Sequence, residues 1–361
     1  MKIHVLVVDD AVIVRNRVSK ILSTVPEIEA VSVAASGKIA LLKIPQVHPD
    51  IIILDVEMPE MNGLETLVEI RRHYPKLPVI MFSASTVLGA ATTLDALMLG
   101  ANDYATKPSN LTSIEAANHH ILTELVPKIK VLSAEYKIQG NKAPDNSSKI
   151  PPLLPPTQHS LISTHYSALT TIDIVAIGVS TGGPNALAEI LPKIPANFPA
   201  AILIVQHMPP MFTKLMAERL ASKCQIPVAE AISGTTVKPG HIWIAPGDFH
   251  LEVLRLEDTV KLITNQAPPE NSCRPAVDVL FRSVAKIYGN KSLAVVLTGM
   301  GKDGLQGAEH IRACGGHIFV QDQASSVVWG MPGFIANAGL AESILPISKM
   351  ADAILQLVAQ N

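Results

Sequence analysis

Two groups of residues in this 361-residue chain combine types and spacing that could do chemistry, and both sit where apolar runs end. In the N-terminal third, "VLVVDD" closes on Asp9 and Asp10, "DIIILD" on Asp55 and "VIMFS" on Ser83, while "NDYATKP" delivers Lys107 followed by Pro108. Three carboxylates at one edge repel unless a hard cation neutralises them, and Mg²⁺, with its oxygen ligands and retained waters, suits that cluster. A phosphoryl group then has two handles, the Ser83 hydroxyl and the Lys107 ammonium, with Asp55 as in-line nucleophile and acceptor. In the C-terminal half, Gly178-Val179-Ser180-Thr181-Gly182 satisfies G-x-S-x-G, which holds a serine on a tight turn between strand and helix. His207 follows the next apolar run in "ILIVQHMPPMF", and Asp303 follows a third in "LAVVLTGMGKDG". A serine, a base and an orienting acid suit acyl transfer, and the order Ser…His…Asp is no objection, because triads are defined by geometry.

For these residues to meet, the runs that precede them must be parallel strands. "IHVLVVD", "DIIILD", "PVIMFSA", "IDIVAIGV", "AAILIVQH" and "LAVVLTG" alternate with helix-length amphipathic segments, which predicts an α/β protein with two doubly wound parallel sheets. Ligands bind such sheets outside the carboxyl ends of the strands, where both residue sets fall. Between the halves, "KIQGNKAPDNSSKIPPLLPPTQHS" is rich in Pro, Asn, Ser and Lys and cannot bury much apolar area. The division expected is a first domain over 1–125, a linker over 126–170 and a second domain over 171–361. Net charge is −2 and the three cysteines form no C-x-x-C pair, so neither a basic nucleic-acid field nor a disulfide or zinc framework is indicated. The N-terminus lacks the pattern of a signal peptide and no apolar run reaches membrane-spanning length, so a cytoplasmic protein is expected.

Other readings compete for the same residues. Ser180 and Thr181 could simply cap the helix that starts near Pro184, or the turn could hold phosphate. Asp248 in "APGDFH" with His250 or His310 would make a rival triad, although neither histidine follows a strong parallel strand. Gly299, Gly301 and Gly304 satisfy G-x-G-x-x-G, with Asp322 at the distance of a ribose-binding acid, but a dinucleotide reading leaves Ser180 and His207 without a role. Cys273 lacks a strand-end histidine assigned to it and reads as a loop or buried thiol. A DNA-acting regulator would need a helix-turn-helix and a basic face, which the strand–helix alternation does not provide. A binding protein that had lost catalysis would not need the intact triad candidates.

Assembled, the motifs carry a resemblance. Residues 1 to about 125, with the strand-ending acids, "DVEMPEMNG" and Lys107-Pro108, resemble a receiver domain of a two-component response regulator. That resemblance implies a flavodoxin-like fold, phosphorylation of Asp55, Mg²⁺ held by Asp10, Asp55 and the backbone carbonyl of Glu57 with Asp9 alongside, and Tyr104 as a switch aromatic. It leaves the Lys107–Pro108 isomer open. From about Asp173 onward, "GVSTGG", "QHMP", "APGD", "RPAVDVLF" and "GMGKDG" resemble the catalytic domain of the chemotaxis methylesterase (CheB) family, with a Rossmann-like sheet. The implied activity is hydrolysis of glutamate γ-methyl esters and deamidation of glutamines on methyl-accepting chemoreceptors. The implied roles are nucleophile for Ser180, general base for His207 and orienting acid for Asp303. Thr181 is expected beside the triad and the Met300 N–H as an oxyanion donor. No cofactor is implied for the ester step. A chemotaxis-type histidine kinase is the implied phosphodonor, with no nucleic-acid partner and no membrane insertion.

Overall fold

A computed structural model describes residues 2–84, 86–108, 113–140 and 171–359. The N-terminal strands β1 (Ile3–Val8), β2 (Ile28–Ala34), β3 (Ile51–Asp55), β4 (Val79–Ser83) and β5 (Asp103–Thr106) form one sheet in the order β2-β1-β3-β4-β5. Every neighbouring pair is parallel. β3 and β4 are buried along their whole length, as central strands covered on both faces require. Helices α1 (Val12–Leu22), α2 (Gly37–Val47), α3 (Gly63–His73), α4 (Val87–Met98) and α5 (Ile114–His120) return the chain between and after them. The turn after β3 is fixed by a capping box: Glu65 N donates to Asn62 Oδ1 and Asn62 N to Glu65 Oε2, both at 2.9 Å.

The expectation of a linker from residue 126 is corrected in its first part. A π-helical turn, Ile121–Leu125, runs straight into α6 (Val126–Gly140). Val126, Ile129 and Leu132 are buried against β1 and β3 residues of the same core. Their spacing of three is helical, with Tyr136 continuing the stripe, and it was hidden among lysines and a proline. The remainder of the expected linker, 141–170, lies outside the described residues.

The second sheet has seven strands, all paired in parallel: β6 (Ile174–Val179), β7 (Ala201–Gln206), β8 (Val228–Glu230), β9 (Ile242–Ile244), β12 (Ser292–Val296), β13 (His317–Gln321) and β14 (Ser343–Leu345). Between β9 and β12, strands β10 (His250–Leu256) and β11 (Thr259–Asn265) make a separate antiparallel hairpin. The sheet order is β14-β13-β12-β6-β7-β9-β8, so the winding reverses between β6 and β12. In the first sheet it reverses between β1 and β3. Crevices open at such switch points, and each predicted residue set lies beside one. Helices α7 (Gly183–Ile190), α8 (Phe212–Ala221), α9 (Val277–Tyr288), α10 (Leu305–Ala313), α11 (Met331–Asn337) and α12 (Ile347–Ala359) cover the sheet.

The two units are packed together. α4 lies on α7 and α8, and Tyr104 stacks on Phe212 with ring centroids 4.7 Å apart. Arg219 pairs with Asp95 at 2.9 Å, and one apolar core runs from Leu94 and Leu97 into Met216 and Leu220. Among the described residues no helix is long and apolar enough to cross a membrane.

Candidate active site

Ser180 is the first residue beyond β6. Its backbone is pinned on three sides: its N–H donates to Thr298 O at 3.1 Å, and its carbonyl accepts from Gly183 N at 2.8 Å and Gln206 Nε2 at 2.9 Å. Two glycines make the turn. Gly182 has φ +80°, left-handed backbone that side chains rarely adopt, and a Cβ on Gly299 would stand 2.8 Å from Ser180 Cβ. Gly182 is the N-cap of α7 and no side chain caps that helix, which removes the capping reading of Ser180 and Thr181.

His207 is the first residue beyond β7 and reaches across the switch point to the loop after β12. Its Nε2 lies 2.8 Å from Asp303 Oδ2, with the ring 12% and the carboxylate 2% exposed. Asp303 has four further donors: Val277 N at 2.7 Å on Oδ2, and Asn271 Nδ2 at 3.0 Å, Asp278 N at 3.1 Å and Gly304 N at 3.0 Å on Oδ1. Burial raises the pKa of Asp303, but the His207 hydrogen bond and charge and the N–H groups of α9 outweigh it and hold the carboxyl below its ordinary value. With Nε2 turned to Asp303, the other ring nitrogen, Nδ1, is left facing Cys273. Burial disfavours the imidazolium, yet Asp303 and then the Cys273 sulfur outweigh it and push His207 up to about 10.

Ser180, Thr181, His207, Cys273 and Met300 line one cavity of about 310 Å³. Among the described residues Ser180 Oγ has no hydrogen-bond partner, and His207 Nδ1 faces Cys273 Sγ at 3.7 Å instead. The Met300 N–H is likewise unengaged among those residues. Thr181 is buried in the same cavity and donates to Asp103 Oδ2 of the first unit at 2.6 Å. Leu97, Asp103, Tyr104 and Lys128 also line it, so the first unit contributes to the wall of the cavity that contains Ser180.

The rival assignments dissolve in the geometry. Asp248 is taken by Arg274, whose Nε donates at 2.9 Å. His250 bonds only backbone, accepting from Ala276 N at 3.2 Å and contacting Pro268 O at 3.1 Å, and His310 is exposed on α10 against Gln306 O. Asp322 receives Ser325 N and Oγ, and of the three glycines Gly299 lies against Ser180 while Gly304 packs on Val277 and Phe281. Reasoning from strand ends missed Asn271 and the α9 N-terminus with Asp278, and set Cys273 aside. All lie on the return from the β10–β11 hairpin, a route that no strand-end pattern marks. The "RPAVDVLF" segment was the available signal, since it begins α9.

At the other edge, Lys107 Nζ stands 2.7 Å from Asp55 Oδ1 and 2.8 Å from Asp9 Oδ2. The ammonium approaches Asp9 off the hydrogen-bond direction, leaving this buried oxygen without an aligned donor. One oxygen each of Asp9, Asp10 and Asp55 lie within 4.8 Å of one another. Burial drives the Asp55 pKa up to about 6, with Asp9 adding to it and Lys107 opposing. Burial disfavours the Lys107 ammonium, but the Asp55 bond and the charges of Asp55 and Asp9 prevail and raise its pKa. An all-oxygen set with an under-satisfied buried carboxylate fits a hard dication such as Mg²⁺. Glu57 N donates to Asp55 Oδ1 at 3.4 Å, and Ser83 Oγ is buried at the end of β4, donating to Ala84 O at 3.2 Å. Tyr104 is buried in the interface between the units, and Lys107–Pro108 is trans, the cis peptide among the described residues being Arg274–Pro275.

The family model described as CheB methylesterase matches residues 175–354, and that described as response regulator receiver domain matches 5–119. A protein-glutamate methylesterase/protein-glutamine glutaminase of Trichodesmium erythraeum is 56% identical over 359 residues, covering 99% of each chain. One of the same name from a Nocardioides species is 44% identical, covering 99% of this chain and 96% of its own. The crystal structure of the Thermotoga maritima CheB methylesterase catalytic domain is 46% identical with a TM-score of 0.51, covering 52% of this chain and 98% of that one. An identity of this size, sustained through both units, places the chain in the CheB methylesterase family, with a response regulator receiver domain at its N-terminus.

Proposed function

We propose that this protein hydrolyses glutamate γ-methyl esters, and deamidates glutamines, on methyl-accepting chemoreceptors, under control of phosphorylation at Asp55. The observation that carries the proposal is the cavity beside the β6/β12 switch point that Ser180 and His207 both line, with Asp303 behind the imidazole at 2.8 Å. The names of the full-length relatives support the substrate class.

In this reading Ser180 Oγ, after a side-chain rotation, attacks the ester carbonyl and passes its proton to His207 Nδ1. Asp303 keeps the Nε2–H in place and stabilises the imidazolium. The Met300 N–H, in the wall of the same cavity, serves the oxyanion, since at the start of α7 the Gly183 N–H is held by the Ser180 carbonyl and Pro184 has none. The C–O bond to methoxide breaks, His207 returns the proton to it, and methanol leaves. Water, deprotonated in turn by His207, cleaves the acyl-serine and restores the free carboxylate. With a glutamine the leaving group is ammonia and the steps are the same.

At the receiver edge, Asp55 accepts the phosphoryl group from a chemotaxis-type histidine kinase while Lys107 and Ser83 bind its oxygens. Mg²⁺ held by Asp10, Asp55 and the Glu57 carbonyl, with Asp9 alongside, would supply charge neutralisation there when bound. Control follows from coverage. Asp103, Tyr104 and Leu97 wall the serine cavity, and a glutamate on a receptor helix is too bulky to pass them, so the unphosphorylated receiver blocks access. Phosphorylation draws Ser83 and Lys107 toward the new charge and favours a receiver surface that packs less well on α7 and α8.

The test is methanol release from methylated receptor membranes by the full chain with and without a phosphodonor, beside residues 171–361 alone. The truncated chain should be faster than the unphosphorylated full chain. No methanol from any of the three sinks the enzyme reading, and equal rates for the two chains sink the blocking.

A further inference from the structure

We propose that Cys273 and His207 form a binding site for a thiophilic divalent cation such as Zn²⁺, which switches the serine site off by occupying the imidazole nitrogen that serves as base. The juxtaposition is Cys273 Sγ 3.7 Å from His207 Nδ1, with Asp303 on the opposite nitrogen at 2.8 Å. One ligand atom from each of His207, Cys273 and Asp303 fits within 4.8 Å. Zinc takes sulfur at about 2.3 Å and imidazole nitrogen at about 2.0–2.1 Å, so its tetrahedral S···N edge is about 3.5 Å, near the separation present here. Asp303 does not have to turn toward the ion. A carboxylate fixed on the far nitrogen of a ligating histidine sets the tautomer and raises its donor strength, and Asp303 is itself held by Val277 N, Asp278 N, Gly304 N and Asn271.

The ligand chemistry separates this site from the receiver acids. Thiolate and imidazole select a borderline-soft cation, whereas three carboxylates select Mg²⁺. On binding, the Cys273 thiol gives its proton to solvent and the sulfur donates to the metal, with no change of oxidation state. His207 and Cys273 line both the 310 Å³ cavity and an adjoining opening of about 600 Å³, so an ion can enter and water can complete its shell. The two cations beside that opening are already neutralised, Lys128 by Asp103 and Arg274 by Asp248. The bland alternative is a thiol that merely donates a hydrogen bond to Nδ1. The site rests on geometry alone; only its inhibitory effect rests on the esterase reading.

The test uses full-length protein with excess Mg²⁺ to fill the receiver acids, and Co²⁺ as a coloured probe for Zn²⁺. One equivalent should give a sulfur-to-cobalt charge-transfer band that Zn²⁺ displaces, absent from Cys273→Ser and retained in Cys314→Ser. In the unmutated protein, Zn²⁺ should slow alkylation of Cys273 by iodoacetamide about tenfold or more and leave exposed Cys314 unaffected, as read by peptide mass spectrometry. No band, a band that survives Cys273→Ser, or equal protection of Cys273 and Cys314 overturns the site. If the site binds but Zn²⁺ does not lower methanol release by an active protein, the inhibitory part falls.

Discussion

Both sheets carry a buried aspartate at a topological switch point, and the two solve the same electrostatic problem in opposite ways. Asp303 is surrounded by donors: one imidazole, three backbone N–H groups and an amide share its two oxygens. The N-terminus of α9 aims two of those N–H groups at it, so its charge is stable without a cation. Asp55 has one ammonium, a long backbone contact and a second buried carboxylate beside it, and its pKa climbs to about 6. In the role proposed for Asp303, orienting a base, a carboxylate is best satisfied permanently. In the role proposed for Asp55, accepting a phosphoryl group, the oxygens have to stay accessible, so their neutralisation would fall to exchangeable ions and to Lys107.

The largest effects should come at the serine edge. Ser180→Ala and His207→Ala should each lose on the order of 10⁵-fold or more in methanol release and Asp303→Asn about 10⁴-fold, because the three act as one unit. Full activity in Ser180→Ala would point to another nucleophile, with Cys273 the nearest candidate. Stability should then separate the two aspartates. Asp303→Asn strips the charge from five donors and should cost about 2–4 kcal/mol in urea unfolding, whereas Asp55→Asn without Mg²⁺ should be neutral or stabilising at pH 7. Equal losses would erase the contrast.

The pH dependence sharpens it further. In Mg²⁺-free protein the folded pKa of Asp55 is about 6 against an ordinary 3.8, so the folded chain binds this proton more tightly than the unfolded chain. Stability should therefore fall as pH rises across that window, by up to about 3 kcal/mol relative to Asp55→Asn. Asp303 has the opposite sign: its contribution is present above the unfolded pKa and is lost as pH falls. Urea unfolding of wild type and Asp55→Asn in chelator, at about pH 4.5 and about pH 7.5, checks this, and Mg²⁺ should restore wild-type stability at the higher value. A constant difference between the two proteins would contradict the shift.

The smallest effect concerns how the edges communicate. Asp103 sits on β5 and accepts from Thr181, next to Ser180. Asp103→Asn weakens one charged hydrogen bond and should raise methanol release by the unphosphorylated chain about two- to tenfold, with little effect after phosphorylation. An unchanged basal rate would assign the blocking to the Tyr104–Phe212 stack and α4 packing instead.

In the first sheet β1, β3 and β4 were legible, while β2 was not named, because Asp9, Asp55, Ser83 and Lys107 lie at or just beyond strand ends, where local sequence and position in the sheet coincide. Ser180 and His207 were legible for the same reason, each being the first residue after a buried strand. Asp303 lies seven residues beyond Val296 and was found through its loop, without sign of the donors that hold it. The α6 stripe of Val126, Ile129 and Leu132 was overlooked because lysines interrupt it, and only burial against β1 and β3 reveals its face.

The sequence by itself determined which residues stand at the carboxyl ends of parallel strands, since strand burial, the glycine turn and the acid or serine that follows are all local. Tertiary structure alone decided what those residues touch. It brought the α9 N-terminus to Asp303, Cys273 to the far nitrogen of His207 and Asp103 to Thr181, pairs separated by 26, 66 and 78 residues. Such contacts depend on how loops and whole units pack, and the energy that selects them is spread over the apolar faces between, not written at either partner.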